Sequence, residues 1–159
     1  MSRARTAALA VVGLVVAGIV AYTVVLKLNR EASAVDDGVV EFKKGNYGAA
    51  VRLLAPYADR GNKTAELNLA ICYAFGLGVQ TNRERAHALL RGATGVNAPE
   101  MYLWIAKSLE NGEGVAKNPE ESVAWYRIAA AEGSTEAKDY LKRRGESGQP
   151  VGGGVPAGS

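Results

Sequence analysis

The chain holds few of the side chains that usually carry chemistry. Among 159 residues there is one Cys and one His. With Cys72 alone, no intrachain disulfide can form. With His87 as the only imidazole, a zinc centre built from protein ligands is poorly supported. The carboxylates are scattered, and nothing in their spacing pairs two of them across a cleft for acid–base work. Period-2 runs of β-branched residues, the mark of half-buried strands, are also missing. The glycines at 76 and 78 follow no strand and lack a third partner, which excludes a phosphate-cradling loop. No catalytic, cofactor-binding or metal-binding residue is therefore predicted. Cys72 reads as small buried filler. His87, whose counterparts one repeat away are Val51 and Val123, reads as a partly buried helix position.

A basic pI near 9.0 suggests nucleic acid until the charges are located. Arg3, Arg5, Lys27 and Arg30 flank one apolar segment; they are four of 19 Lys and Arg, which leaves 15 against 16 Asp and Glu elsewhere. The rest of the chain is close to neutral and shows no basic face for a nucleic acid.

The apolar segment, residues 7–26, runs 20 residues without a charge, and eleven of them are Val, Leu or Ile. A helix of that length spans roughly 30 Å, the thickness of a hydrocarbon core. At about −0.3 to −0.6 kcal/mol each, the branched residues contribute roughly −3 to −6 kcal/mol toward insertion. An uncleaved anchor is the expected state. The alternative is a signal peptide cut at Ala32-Ser33-Ala34, but the apolar run is longer than such segments have and Lys27, Arg30 and Glu31 crowd the site. The flanking charges favour a cytoplasmic N-terminus, residues 1–6, with the body outside.

Residues 31–144 read as entirely helical. Val35, Val39 and Phe42 share one face of a first helix over 32–44. Val51, Leu54 and Tyr57 do so in a second over 47–60. Gly45-Asn46 and Gly61-Asn62 are stop signals. A third helix, 65–75, is expected to take Thr64 as its cap, and a fourth, 83–93, to take Asn82. A fifth begins near Pro99. In the sixth, Asn118 caps, Pro119 takes the first helical position and Glu121 completes a capping box. Ser134 caps a last helix over 135–144, whose basic end suits the helix dipole. The Gly- and Pro-rich tail, 145–159, is expected to be disordered.

Within this helical stretch one pattern occurs twice. Gly76-Leu77-Gly78-Val79 returns 36 residues later as Gly112-Glu113-Gly114-Val115. Around it Ala70 answers to Ala106, Asn82 to Asn118, Ala86 to Ser122, Leu90 to Tyr126 and Ala93 to Ala129, without a gap. A fixed period of this size marks stacked helical repeats. The paired glycines permit positive φ, so the chain leaves one helix and enters the next tightly, with Val79 and Val115 turned inward.

The spacing Ala65-x3-Leu69-Ala70-x2-Tyr73-x2-Gly76-x-Gly78-Val79-x2-Asn82, with its copy from Met101, resembles the Sel-1-like repeat family, relatives of tetratricopeptide repeats. Lys44-Gly45-Asn46-Tyr47-Gly48-Ala49-Ala50 resembles the tetratricopeptide-like unit that opens such arrays. The resemblance implies an all-α fold, a short α-solenoid of antiparallel helix pairs, behind one N-terminal transmembrane helix read from the apolar run. It also implies a protein-binding scaffold. Departures are Met101 in place of Ala and Thr94-Gly95-Val96 in place of an Ala-Ala-Glu-like ending, both expected to loosen the stacking of the last two units.

Two features are candidates for partner contact. Trp104 falls between the stripe positions 101 and 105, so that part of its ring can face outward, and Tyr102 joins it in an aromatic cluster with Trp125 and Tyr126; the latter two are expected in the core. In the apolar segment Thr6, Ala10, Gly13, Ala17 and Ala21 lie within roughly 80° of one helix face, a stripe suited to close helix packing. The combined expectation is a single-pass protein of a bacterial inner membrane with a periplasmic repeat body. Its partner is expected to be a membrane-embedded or membrane-apposed protein, with the bilayer engaged through residues 7–26. A cleaved soluble form and, remotely, a cell-wall-associated enzyme are the alternatives.

Overall fold

A computed structural model describes residues 3–94 and 98–145, with side chains described over 13–93 and 99–145. Among these residues there are seven helices and no strand: α1 (Arg3–Lys43), α2 (Tyr47–Ala58), α3 (Lys63–Phe75), α4 (Arg83–Thr94), α5 (Ala98–Asn111), α6 (Pro119–Ala131) and α7 (Thr135–Arg143). Consecutive helices run antiparallel and stack as pairs: α1 with α2, α3 with α4, α5 with α6, and α7 closing the array.

The first repeat helix is not a separate element beginning near Ala32. It is the upper part of α1, which continues through the apolar segment for 41 residues. No proline or helix stop lies between Leu26 and Val35, so the helix runs on from the apolar segment into the body.

Five helices end by the same device. Gly45, Gly61, Gly76, Gly112 and Gly133 have positive φ. The amide one residue later donates to a carbonyl five residues back: Asn46 to Glu41, Asn62 to Tyr57, Leu77 to Cys72, Glu113 to Ser108, and Ser134 to Ala129, at 2.8–3.1 Å. These bonds satisfy carbonyls that the helix ends would leave unpaired. The two long loops match bond for bond. Asn82 N donates to Tyr73 O at 2.9 Å and Asn118 N to Leu109 O at 2.8 Å.

The caps differ from expectation in two places. Asn62, not Thr64, caps α3; its side chain accepts from Ala65 N at 3.0 Å, because the helix begins at Lys63, two residues earlier than predicted. Asn118 accepts from Glu121 N at 3.1 Å, but the reciprocal half of the capping box is absent. The Glu121 carboxylate turns instead to Arg83 at 3.0 Å, since the Asn118 amide already bonds Leu109. Asn82 and Ser134 cap α4 and α7 as expected. Helix α2 ends at Ala58, short of residue 60.

Two apolar cores meet across α3. Ala65 and Leu69 pack with Val35, Ala50, Leu54 and Ala58. Ala70 and Ala74 pack with Ala86, Leu90, Tyr102, Ile105, Ala106, Trp125, Tyr126 and Ala129. Small Ala70 and Ala106, both fully buried, let paired helices approach closely. Val115 is half-buried against the second core, and Val79 is half-buried in the preceding loop. Of the segment 94–96 thought to loosen the stacking, residues 95 and 96 and the side chain of Thr94 lie outside the described residues. So does the tail beyond Gly145.

Candidate functional site

Helices α3 and α5 are the first members of successive pairs and lie side by side, so they present neighbouring outer faces. From α3 comes Ile71, and from α5 come Glu100, Met101 and Trp104; together they line an open hollow of about 400 Å³. Trp104 is 47% exposed. Its position is nevertheless defined, because Phe75 meets the indole edge-to-face at 5.5 Å and 77°. A ring held on one side and open on the other can anchor a partner without first losing much side-chain freedom. Met101, where the repeat pattern has Ala, is half-buried beside it, whereas its counterpart Ala65 is fully buried. The departure from the pattern thus adds apolar surface next to the indole.

Tyr102 does not belong to this surface. It is fully buried, and this corrects its assignment as a partner contact: position 102 lies on the opposite side of α5 from Trp104, against the partner helix. Its ring stacks with Trp125 at 6.0 Å and meets His87 edge-on at 5.1 Å. Burial, with the nearby Glu132 carboxylate second, pushes the phenol up to about 12. Among the described residues its hydroxyl has no hydrogen-bond partner. Trp125 and Tyr126 are buried as expected.

On the other side of the array α4 and α6 form a groove of about 260 Å³, floored by Ala124, Ile128 and Ala131. An ion pair, Arg83 to Glu121 at 3.0 Å, and a hydrogen-bond contact, His87 to Glu132 at 3.4 Å, tie its walls. His87 is half-buried there. Cys72 is fully buried, and desolvation raises its thiol to about 11, so it sits as a neutral packed group. Among the described residues no three His, Cys, Asp or Glu gather in a way that could hold a metal ion.

At the closing end Glu110 receives two phenols, from Tyr126 at 2.8 Å and Tyr140 at 2.5 Å. The two rings stack at 3.7 Å and 13°. No sequence signal pointed to this cluster, because its members come from three different helices.

Along α1, Leu14, Val15, Val16, Ile19, Val20, Tyr22, Val24, Val25, Leu26 and Leu28 are all exposed. Gly13, Ala17 and Ala21 of the small-residue stripe are exposed as well, and nothing lies within 4 Å of a Cβ built on Gly13. The side chains of Thr6 and Ala10 lie outside the described residues. The helix is long and apolar enough to cross a membrane or to serve as a signal sequence.

The Sel1 repeat family model matches residues 64–93 and 99–134. Among solved structures the chain is similar to a crystal structure of a Sel1 repeat protein from Oxalobacter formigenes, at 29% identity. The match covers 69% of this chain and 46% of that one, with a TM-score of 0.38. This chain therefore spans less than half the length of that relative. No curated protein matches.

Proposed function

The chain is a Sel1-repeat protein, and from that premise we propose that it is a membrane-anchored scaffold that docks a membrane-embedded or membrane-apposed protein. Sel1 repeats imply a protein–protein interaction scaffold. The anchor and the partner class are our additions, and one observation carries them. In the single helix α1, ten large apolar side chains from Leu14 to Leu28 are exposed, while Val35 further along is buried. Each branched residue among them gains about 0.3–0.6 kcal/mol on entering a bilayer, so a bilayer is the environment that suits this half of the helix.

The proposed layout is a stub over 1–6, an anchor over 7–26, a repeat body over 31–144 and a tail over 145–159. We place the protein in a bacterial inner membrane with a periplasmic body. Cleavage after Ala34 fits less well. That bond lies inside α1, and cutting it removes Glu31, whose carboxylate holds Arg60 at 3.1 Å. The body meets its partner at the hollow around Trp104, and Gly13, Ala17 and Ala21 pack against a membrane helix. Anchor and body then act together, each raising the effective concentration of the other.

Affinity purification from membranes in mild detergent tests the reading. Full-length protein is expected to retain a co-purifying chain, and protein lacking residues 1–30 to lose most of it. Undiminished retention after the deletion would remove the anchor from the mechanism.

A further inference from the structure

We propose that the edge of the repeat body nearest the anchor, carrying Lys27, Arg30, Arg60, Lys63 and Arg91, rests on the anionic headgroups of the bilayer. The proposal depends on the anchor reading above and names a second ligand for the same arrangement.

The geometry begins with the continuity of α1. From Leu26, the end of the apolar run, to Glu31 is five residues, or about 8 Å along the axis. The polar layer outside a hydrocarbon core is itself roughly 5–8 Å deep on each side. Glu31 therefore stands at the outer limit of that layer, held by a rigid helix and not by a flexible tether.

Two contacts bring the body down to the same level. Arg60, just past the end of α2, donates to Glu31 at 3.1 Å. Lys63, at the start of α3, donates to the carbonyl of Gly92 at 2.6 Å and so brings the end of α4, with exposed Arg91, to this edge. The glycine loops occupy the opposite end. A Cβ on Gly78 would lie 2.4 Å from Gly48 N, next to the far end of α1. Alternating helix direction thus sorts the turns into a near edge and a far edge, and the near edge is fixed close to the membrane surface.

The charges at the near edge suit that surface. Side chains of Arg60 and Lys63 are 61% and 63% exposed, so each can also reach a phosphate while keeping its internal partner. Lys27 and Arg30 follow the apolar run directly and are exposed. The carboxylates here are Glu31 and Glu66, already bonded to Arg60 and Lys63, and Asp59. Further from α1 the same side carries Glu100, Glu132 and Glu136, with Lys107 bound to Glu136 at 2.6 Å. The edge is basic beside the anchor and acidic away from it, so an anionic surface draws down the α1–α4 end preferentially. Each cation close to such a surface contributes about a fivefold change in occupancy.

The test uses full-length protein in nanodiscs containing a lipid with a gadolinium-chelated headgroup, and reads amide relaxation enhancement. In discs with about a third anionic lipid, residues 59–63 and 91–92 are expected to be enhanced well above 76–79 and 112–115. That excess should shrink in purely zwitterionic discs and in high salt. Arg60→Gln with Arg91→Gln should reduce it severalfold. Arg91→Gln alone, which breaks no ion pair among the described residues, keeps the result readable if the change at Arg60 disturbs α1. Enhancement equal at both ends, or indifferent to lipid charge, overturns the headgroup contact and leaves the anchor intact. Protein that never enters the discs overturns both.

Discussion

Trp104 concentrates the docking proposal in one side chain, since Phe75 fixes its ring and Met101 and Ile71 widen the apolar surface around it. If it is an interface anchor, Trp104→Ala should cost about 2 kcal/mol or more of partner affinity, roughly 30-fold, with little loss of fold stability. Titration of the purified pair checks this; an affinity within about twofold of wild type would place the docking surface elsewhere. Tyr102 behaves oppositely. Its buried hydroxyl has no partner among the described residues, so Tyr102→Phe should be neutral or slightly stabilising near pH 7. The folded phenol is raised to about 12 from an ordinary 10.0. The unfolded chain therefore loses this proton first, and stability is kept below about pH 10 and declines from there toward pH 12. Thermal melts between pH 8 and 11 should show that decline, lessened in the Phe variant. The aromatic cluster, with Trp104 turned partly outward and Trp125 and Tyr126 in the core, was legible in the sequence, but the burial of Tyr102 was not. Positions 102 and 104 are two residues apart on a helix, and only the placement of the partner helix decides which faces inward.

At the scale of the element, the two glycine loops are alike in backbone and unlike in surroundings. Gly78 and Gly114 have φ of +69° and +74°, a region costing a residue with a Cβ about 1–2 kcal/mol. A Cβ on Gly78 would also meet Tyr47 C at 2.6 Å, whereas on Gly114 it meets nothing within 4 Å. Gly78→Ala should therefore destabilise the body by clearly more than Gly114→Ala, which should lose only the backbone term. Chemical denaturation of the two variants compares them directly; equal losses would contradict the close packing of the first loop on α2. The caps give a finer scale. Asn118→Ala should cost about 1 kcal/mol, while Glu121→Gln, which weakens a half-exposed pair with Arg83, should cost less. Helix ends were largely legible because Gly, Asn and Ser have local backbone preferences. The Glu121 side chain escaped that reading because its choice of Arg83 depends on a residue 38 positions away.

For the whole molecule, the proposed union of an anchor with the first repeat helix matters most. A body joined to a membrane by a flexible linker samples many heights and tilts, but one that continues the membrane helix is held in a narrow range. The intact mass of protein recovered from membranes is expected to include residues 1–30; a mature start at Val35 would exclude the anchor. The repeat period, the helix pairs and the closing helix could all be read from spacing. The continuity of α1 could not, since nothing local separates two abutting helices from one long one.

By itself the amino-acid order determined the helical repeat, its 36-residue period and most of its stops, because each rests on preferences confined to a few neighbouring residues. It also marked one segment as long and apolar enough to cross a membrane or to serve as a signal sequence. That Tyr102 is buried while Trp104 is exposed, which charges share the edge beside α1, and how two loops of matching backbone come to differ were decided only by tertiary structure. Those properties depend on what a distant helix places within a few ångströms, and the hydrophobic pattern of a single element carries no record of that neighbour.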